Sequence, residues 1–254
     1  SGAKALTKAG AGTVVFASPN TYTGLTSLDD GLLLLDNASG LPGGIDNTVG
    51  AGESGLAFEG GVLGLATGDF TRQMGTGTGQ LDWVNGSGGF AAFGADRQVR
   101  LNNGTGTLSW ATSILGNGSI LILSHPTATH TLDFTNGISF STQKRTVQVE
   151  DGAAAVDAIL SGSLIGTVAT PAGLNKTGPG VLSLTNANTY SGNTTVTSGT
   201  LAPTANRPIA IAYLPTAHTV LDHEVYAEVR GKRLPMRVTA LPFVPHRYVR
   251  VPAR

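Results

Sequence analysis

Cysteine is absent from the 254 residues, which excludes disulfides, thiol catalysis and cysteine-ligated metals. That absence suits a secreted chain as well as a cytosolic one, so the redox compartment stays open. Charge is scarce. Lys and Arg number 16 against 16 Asp and Glu, 13% of the chain, and the formal net charge is zero. No Lys/Arg run occurs before residue 230, so the main body lacks the basic footprint that a nucleic-acid partner requires. Apolar runs never approach the ~18 residues of a spanning helix. No membrane-spanning segment is therefore expected in this chain, and Ser1 opens it without a signal peptide, so the sequence reads as a fragment or a processed piece.

Glycine, by contrast, is plentiful at 36 residues, about twice the usual ~7%. With 40% apolar residues and no net charge, the chain does not have the composition of a disordered one. Short apolar or alternating runs recur between Gly-, Asn- and Ser-rich turns: Val62-Leu63-Gly64-Leu65, Phe90-Ala91-Ala92-Phe93, Ile120-Leu121-Ile122-Leu123 and Thr146-Val147-Gln148-Val149. No 3.6-period stretch of helix length occurs before residue 202, so the body is expected to be all-β.

Two segments carry one text. Leu6 to Leu35 and Leu174 to Leu201 align without a gap, Lys8 with Lys176, Gly10 and Gly12 with Gly178 and Gly180, and Asn20-Thr21-Tyr22-Thr23-Gly24 with Asn188-Thr189-Tyr190-Ser191-Gly192. Each copy is a supersecondary unit unable to bury its own apolar face. It must stack on neighbours, which makes a solenoid. Identical register 168 residues apart implies that the copies occupy equivalent coils, in a stack of about nine coils of roughly twenty residues.

The pattern Leu-x-Lys-x-Gly-x-Gly, strand, Asn-Thr-Tyr-x-Gly, strand, Gly-Thr-Leu resembles the autotransporter-associated β-strand repeat of secreted bacterial passenger proteins. That resemblance implies a right-handed parallel β-helix displayed at a bacterial surface. It is complete in the second copy, whereas Asp30-Gly31-Leu32-Leu33 ends the first.

From Ala202 the language changes. Five prolines fall in residues 1–201 and seven in the last fifty-three, where Arg207, Arg230, Lys232, Arg233, Arg237, Arg247, Arg250 and Arg254 also gather. Glu224 to Arg230 and Arg233 to Val238 read as a hairpin turned at Gly231-Lys232. The words Ile209-Ala210-Ile211-Ala212-Tyr213-Leu214-Pro215, Val229-Arg230-Gly231-Lys232-Arg233-Leu234-Pro235 and Leu241-Pro242-Phe243 resemble the end of the C-terminal barrel of the glycine cleavage T-protein, an aminomethyltransferase. Val196 to Leu201 reads as either family, and a join at that hexapeptide accounts for the chain. The long N-terminal folate-binding part of the enzyme family has no counterpart here.

Candidate chemistry is sparse. Ser124-His125, or His130 with Asp133, suggests a hydrolase dyad, but no G-x-S-x-G elbow lies nearby. His218 and His223 beside Asp222 lack a third metal ligand at suitable spacing. Gly75 to Gly79 and Gly86 to Gly89 are turns rather than phosphate loops, since no helix or Gly-Lys-Ser/Thr follows. Asp29-Asp30 and Glu150-Asp151 read as solvated turn acids, and Tyr22 and Tyr190 as packing residues at one recurring coil position.

These readings give an all-β chain: a right-handed parallel β-helix over 1–201, with repeats at 6–35 and 174–201, followed by a small, incomplete antiparallel β-barrel-like tail at 202–254. The expected role is that of a non-enzymatic surface passenger-type fragment, with no catalytic, cofactor-binding or metal residues, no cofactor, and surface or carbohydrate contacts as partners. Two rival roles stand beside it: a folate-dependent aminomethyltransferase relative, cytoplasmic in context, and a carbohydrate-active β-helix, which needs two acids in one groove.

Overall fold

The computed structural model describes residues 3–47, 54–83, 86–110, 112, 114–166, 172–196, 200–202, 207–209, 220–229 and 232–239. The chain divides into two compact units, Ser1–Ser198 and Gly199–Arg254. Among the described residues there is no α-helix, and every strand pair of the first unit is parallel. The first unit is a parallel β-helix.

Each coil lays down strands on three faces in turn. The first face consists of two sheets: Leu6–Lys8, Thr26–Leu28, Leu56–Phe58 and Leu81–Asp82 pair in that order, then Thr107–Ser109, Gly137–Ser139 and Leu164–Ile165. The second face is one eight-stranded sheet whose strands begin at residues 13, 32, 62, 88, 120, 145, 174 and 194. The third has six strands, from Asp46–Asn47 to Leu182–Leu184. The coil count and length therefore differ from the expected nine of roughly twenty. Among the described residues eight strands stack on the principal face, at intervals from 19 residues (13 to 32) up to 32 (88 to 120). Turns vary freely in length because only the strands are held by the ladder.

Inward positions form columns. Leu33, Leu63, Phe90, Leu123 and Val149 lie in register on the principal face, and all are fully buried. Phe58, Phe70 and Trp83 surround Phe90, with ring centroids at 5.1, 5.0 and 5.6 Å. Outward positions are apolar too at the N-terminal half of this sheet, where Leu32-Leu33-Leu34-Leu35 has no alternation. A second small core results: Leu32, Val62, Ala91 and Ala128 are buried under Leu34, Phe93 and Ile122. Gly64 makes room for it, because a Cβ there would meet Leu34 Cδ1 at 2.8 Å and Phe93 Cε2 at 2.9 Å.

The repeat copies do not occupy equivalent coils. Leu6 pairs with Thr26 on the first face, whereas Leu174 pairs with Thr194 on the second. Six coils and one additional face separate them. Two local contacts are nevertheless shared: Tyr22 and Tyr190 form hydrogen bonds with Thr26 and Thr194 at 2.7 and 2.6 Å. Gly24 and Gly192 donate to the carbonyls of Lys4 and Ala172. The text specifies contact with the preceding coil and is indifferent to the face, because every face offers the same parallel ladder.

In the second unit, Thr200–Ala202 pairs antiparallel with Arg207–Ile209, and Glu224–Val229 with Lys232–Arg237. The expected hairpin is present. Its register sets Val229 opposite Lys232, so Lys232, expected in the turn, belongs to the second strand, and Gly231 lies outside the described residues. No closed barrel forms among the described residues.

Candidate functional site

The corners of the coil carry its polar chemistry. At the entrance to the third face, Asp69, Asp96 and Asp157 each accept a backbone N–H from the following coil, from Gln98, Thr131 and Val181 at 2.9, 2.9 and 2.7 Å. Between the third and first faces, Asn102, Asn136 and Asn188 accept N–H groups from Met74, Leu101 and Leu164 of the preceding coil at 2.9, 2.7 and 2.7 Å. These side chains pair backbone groups where the strand ladder lapses. Asp157 is fully buried and also takes the Gly152 N–H at 2.7 Å. Sequence reading missed it, although an Asp directly before three of the six third-face strands, at 69, 96 and 157, was the available signal.

The interior cations are held chiefly by carbonyls. Lys8 and Lys176 stand at inward positions in register with Leu28 and Val147. The Lys8 ammonium donates to the carbonyls of Ala9, Gly10 and Asp30 at 3.2, 2.5 and 2.9 Å, and Lys176 to that of Gly178 at 2.5 Å. The repeat lysine thus buries its stem in the core and caps the turn that follows. Burial pushes the Lys176 ammonium below its ordinary pKa, against the opposing pull of Asp157, Glu150 and Asp151. Arg72, fully buried, donates to the carbonyls of Ser54, Pro42 and Gly44 at 3.1, 3.0 and 2.8 Å. Desolvation lowers its pKa to about 10.

The candidate dyads do not assemble. Ser124 is buried in the left-handed region, at φ 66°, with its N–H on the Phe90 carbonyl and its Oγ without a partner. His125 Nδ1 lies 2.8 Å from Thr127 Oγ1 and accepts the Thr127 N–H at 3.2 Å. His130 Nδ1 lies 2.9 Å from Thr129 Oγ1, while Asp133 accepts from Ser161 at 2.6 Å and Gln98 at 3.4 Å. Asp29 and Asp30 cap their own turn through Ser27 and the Gly31 N–H, and Gln148 holds Glu150. Gly75 and Gly77 close on the Gln80 side chain. Tyr190 stacks on Phe140 at 5.3 Å, and burial raises the phenol pKa of both Tyr22 and Tyr190. In the second unit Asp222 and His223 bond through backbone to Val238 and Val220; His218 lies outside the described residues. No group of three His, Cys, Asp or Glu side chains able to hold a metal occurs among the described residues.

A recess of about 410 Å³ lies at the corner leading into the last strands of the principal face. Lys144, Gly173, Ser191, Gly192 and Asn193 line it. Glycine is required by contact between coils: a Cβ on Gly192 would lie 2.5 Å from the Ala172 carbonyl, and one on Gly173 2.5 Å from that of Asn193.

His125 carries a pH effect. Burial holds its imidazole below the ordinary value, with Glu150 pulling partly the other way. On acidification the unfolded chain takes the proton first, so this stability is complete above about pH 6.5 and declines as pH falls through the lowered folded value. Chemical denaturation should show a lower midpoint at pH 5 than at pH 7.5. His125→Asn should remove that part of the difference, and an unchanged pH dependence in the variant would refute the assignment.

Geometry and sequence together define a parallel β-solenoid whose repeat is of the passenger type. Residues 6–35 match the Passenger-associated-transport-repeat. The chain is similar to the adhesin BmaC autotransporter of Brucella suis, 31% identical over 235 residues, a match spanning 77% of this chain and 7% of that protein. Residues 181–245 match the Glycine cleavage T-protein C-terminal barrel domain. Aminomethyltransferases of Anoxybacillus flavithermus and Parasynechococcus marenigrum are each 52% identical over 48 residues, 19% of this chain and 13% of theirs. The chain therefore spans only a small part of each of these relatives. No solved structure matches significantly. The barrel match begins inside the solenoid, since Leu182–Leu184 and Thr194–Val196 pair with its strands.

Proposed function

We propose that residues 1–201 are a non-enzymatic, passenger-type solenoid segment displayed at a bacterial surface, and that residues 202–254 are a partial barrel segment joined to it. The observation that carries this reading is the repeat at 6–35 stacked coil upon coil by its own register, Leu6 on Thr26 and Thr13 on Leu32. A surface-exposed, unbranched stack needs no active site, and the histidines and acids described above are occupied in turns and ladders. The similarity to an autotransporter adhesin supports secretion or surface display. Supplied with an autotransporter's signal peptide and translocator in a bacterial host, the body should reach the outside and be shaved from intact cells by added protease. Retention inside the cell in a folded form would count against it.

The 181–245 match favours a second reading, an aminomethyltransferase relative working in the cytoplasm. Its folate-binding part has no counterpart in this sequence, so calorimetry with tetrahydrofolate should give no saturable heat. Saturable binding would restore the enzyme reading. A carbohydrate-active role lacks support from the recess, among whose described lining residues there is no acid. Sequencing the genomic DNA across residues 196–206 tests the join.

A further inference from the structure

We propose that the recess at Lys144 is a binding site for an anionic saccharide, such as a uronate-bearing chain. Among the described residues its wall offers one ammonium, one hydroxyl, one carboxamide and two bare glycine backbones, without an aromatic ring or a carboxylate. A neutral sugar finds no ring to stack on among these residues. An acidic ligand finds a cation without an ion-pair partner, because the single salt bridge among the described residues joins Arg100 to Asp69. The Lys144 ammonium donates one proton to Thr195 Oγ1 at 2.5 Å. Two more remain for a ligand.

The polar surface continues past the recess. Thr146, Asn175 and Thr195 lie in register on three successive strands of the principal face, with Asn175 Nδ2 donating to Thr146 Oγ1 at 3.5 Å. Rungs about 4.8 Å apart carry this row over about 10 Å. A volume near 410 Å³ exceeds what a bare inorganic anion fills and falls within the ~300–1,000 Å³ of ligand sites. Carboxylate on Lys144 and sugar hydroxyls on Asn193 and the Thr/Asn row complete the pairing.

The inference is independent of surface location, because it is read on the purified full chain. Calorimetry with an oligogalacturonate should show saturable binding that weakens with salt, whereas a maltooligosaccharide of equal length should give no heat. Lys144→Met should reduce affinity at least tenfold. Ser191→Trp, which fills the recess from an exposed turn, should abolish binding, with the thermal unfolding midpoint of each variant confirming that it is folded. Absence of saturable binding by the wild type, or unchanged affinity in a folded Lys144→Met, overturns the proposal. So does equal competition by millimolar sulfate, which would mark a simple anion site.

Discussion

Phe90→Ala should lower the unfolding free energy by about 3–5 kcal/mol, as full truncation of a buried aromatic does. Phe90 is fully buried and stands between Leu63 and Leu123 in the inward column. Its ring also touches those of Phe58 on the first face, Phe70 on the third and Trp83, which directly follows the first-face strand Leu81–Asp82. A solenoid has no distant partner to absorb such a hole, since each coil contacts only its neighbours. Guanidinium titration followed by tryptophan fluorescence reads the loss directly, because Trp83 lies inside the cluster. Phe90→Leu, closer in volume, should cost less than about 1.5 kcal/mol. Equal midpoints for the alanine variant and the wild type would show that the aromatic cluster contributes nothing to the stack.

The repeat glycines give the second large effect, and it depends on where the copy sits. Gly12 and Gly180 share one place in the repeat text. A Cβ on Gly180 would lie 2.4 Å from the Glu150 carbonyl oxygen of the preceding coil, whereas a Cβ on Gly12 meets nothing within 4 Å. Gly180→Ala should therefore cost about 2–3 kcal/mol, in the range for overpacking, while Gly12→Ala stays within about 0.5 kcal/mol, as substitutions free of contact do. Gly10 falls between them: it has the same open surroundings but a φ of 74°, so alanine there pays only for the left-handed backbone. Differential scanning calorimetry of the three variants should give that order. Similar losses at Gly12 and Gly180 would mean that the repeat glycine serves its own turn and not the coil beneath.

Residues such as the Leu-x-Lys-x-Gly-x-Gly words, the absence of helical periodicity and the proline boundary near 202 determined the β-solenoid class, the presence of stacked coils and the hairpin in the tail. These are local properties: strand alternation, turn residues and repeat identity are written in neighbouring positions. The number and length of coils were not legible, because turns between rungs vary while the ladder constrains strands alone. Nor was the displacement of the second copy by one face, since all three faces present the same backbone ladder to a repeat. The inward lysines were equally hidden. Alternation assigns Lys8 and Lys176 to the core side, and only folded turns supply the carbonyls that make burial tolerable there. The recess at Lys144 joins residues from positions 144, 173 and 191–193, brought together by coils stacking at a corner. Long-range packing decided that site, because no sequence interval shorter than a full coil relates its parts.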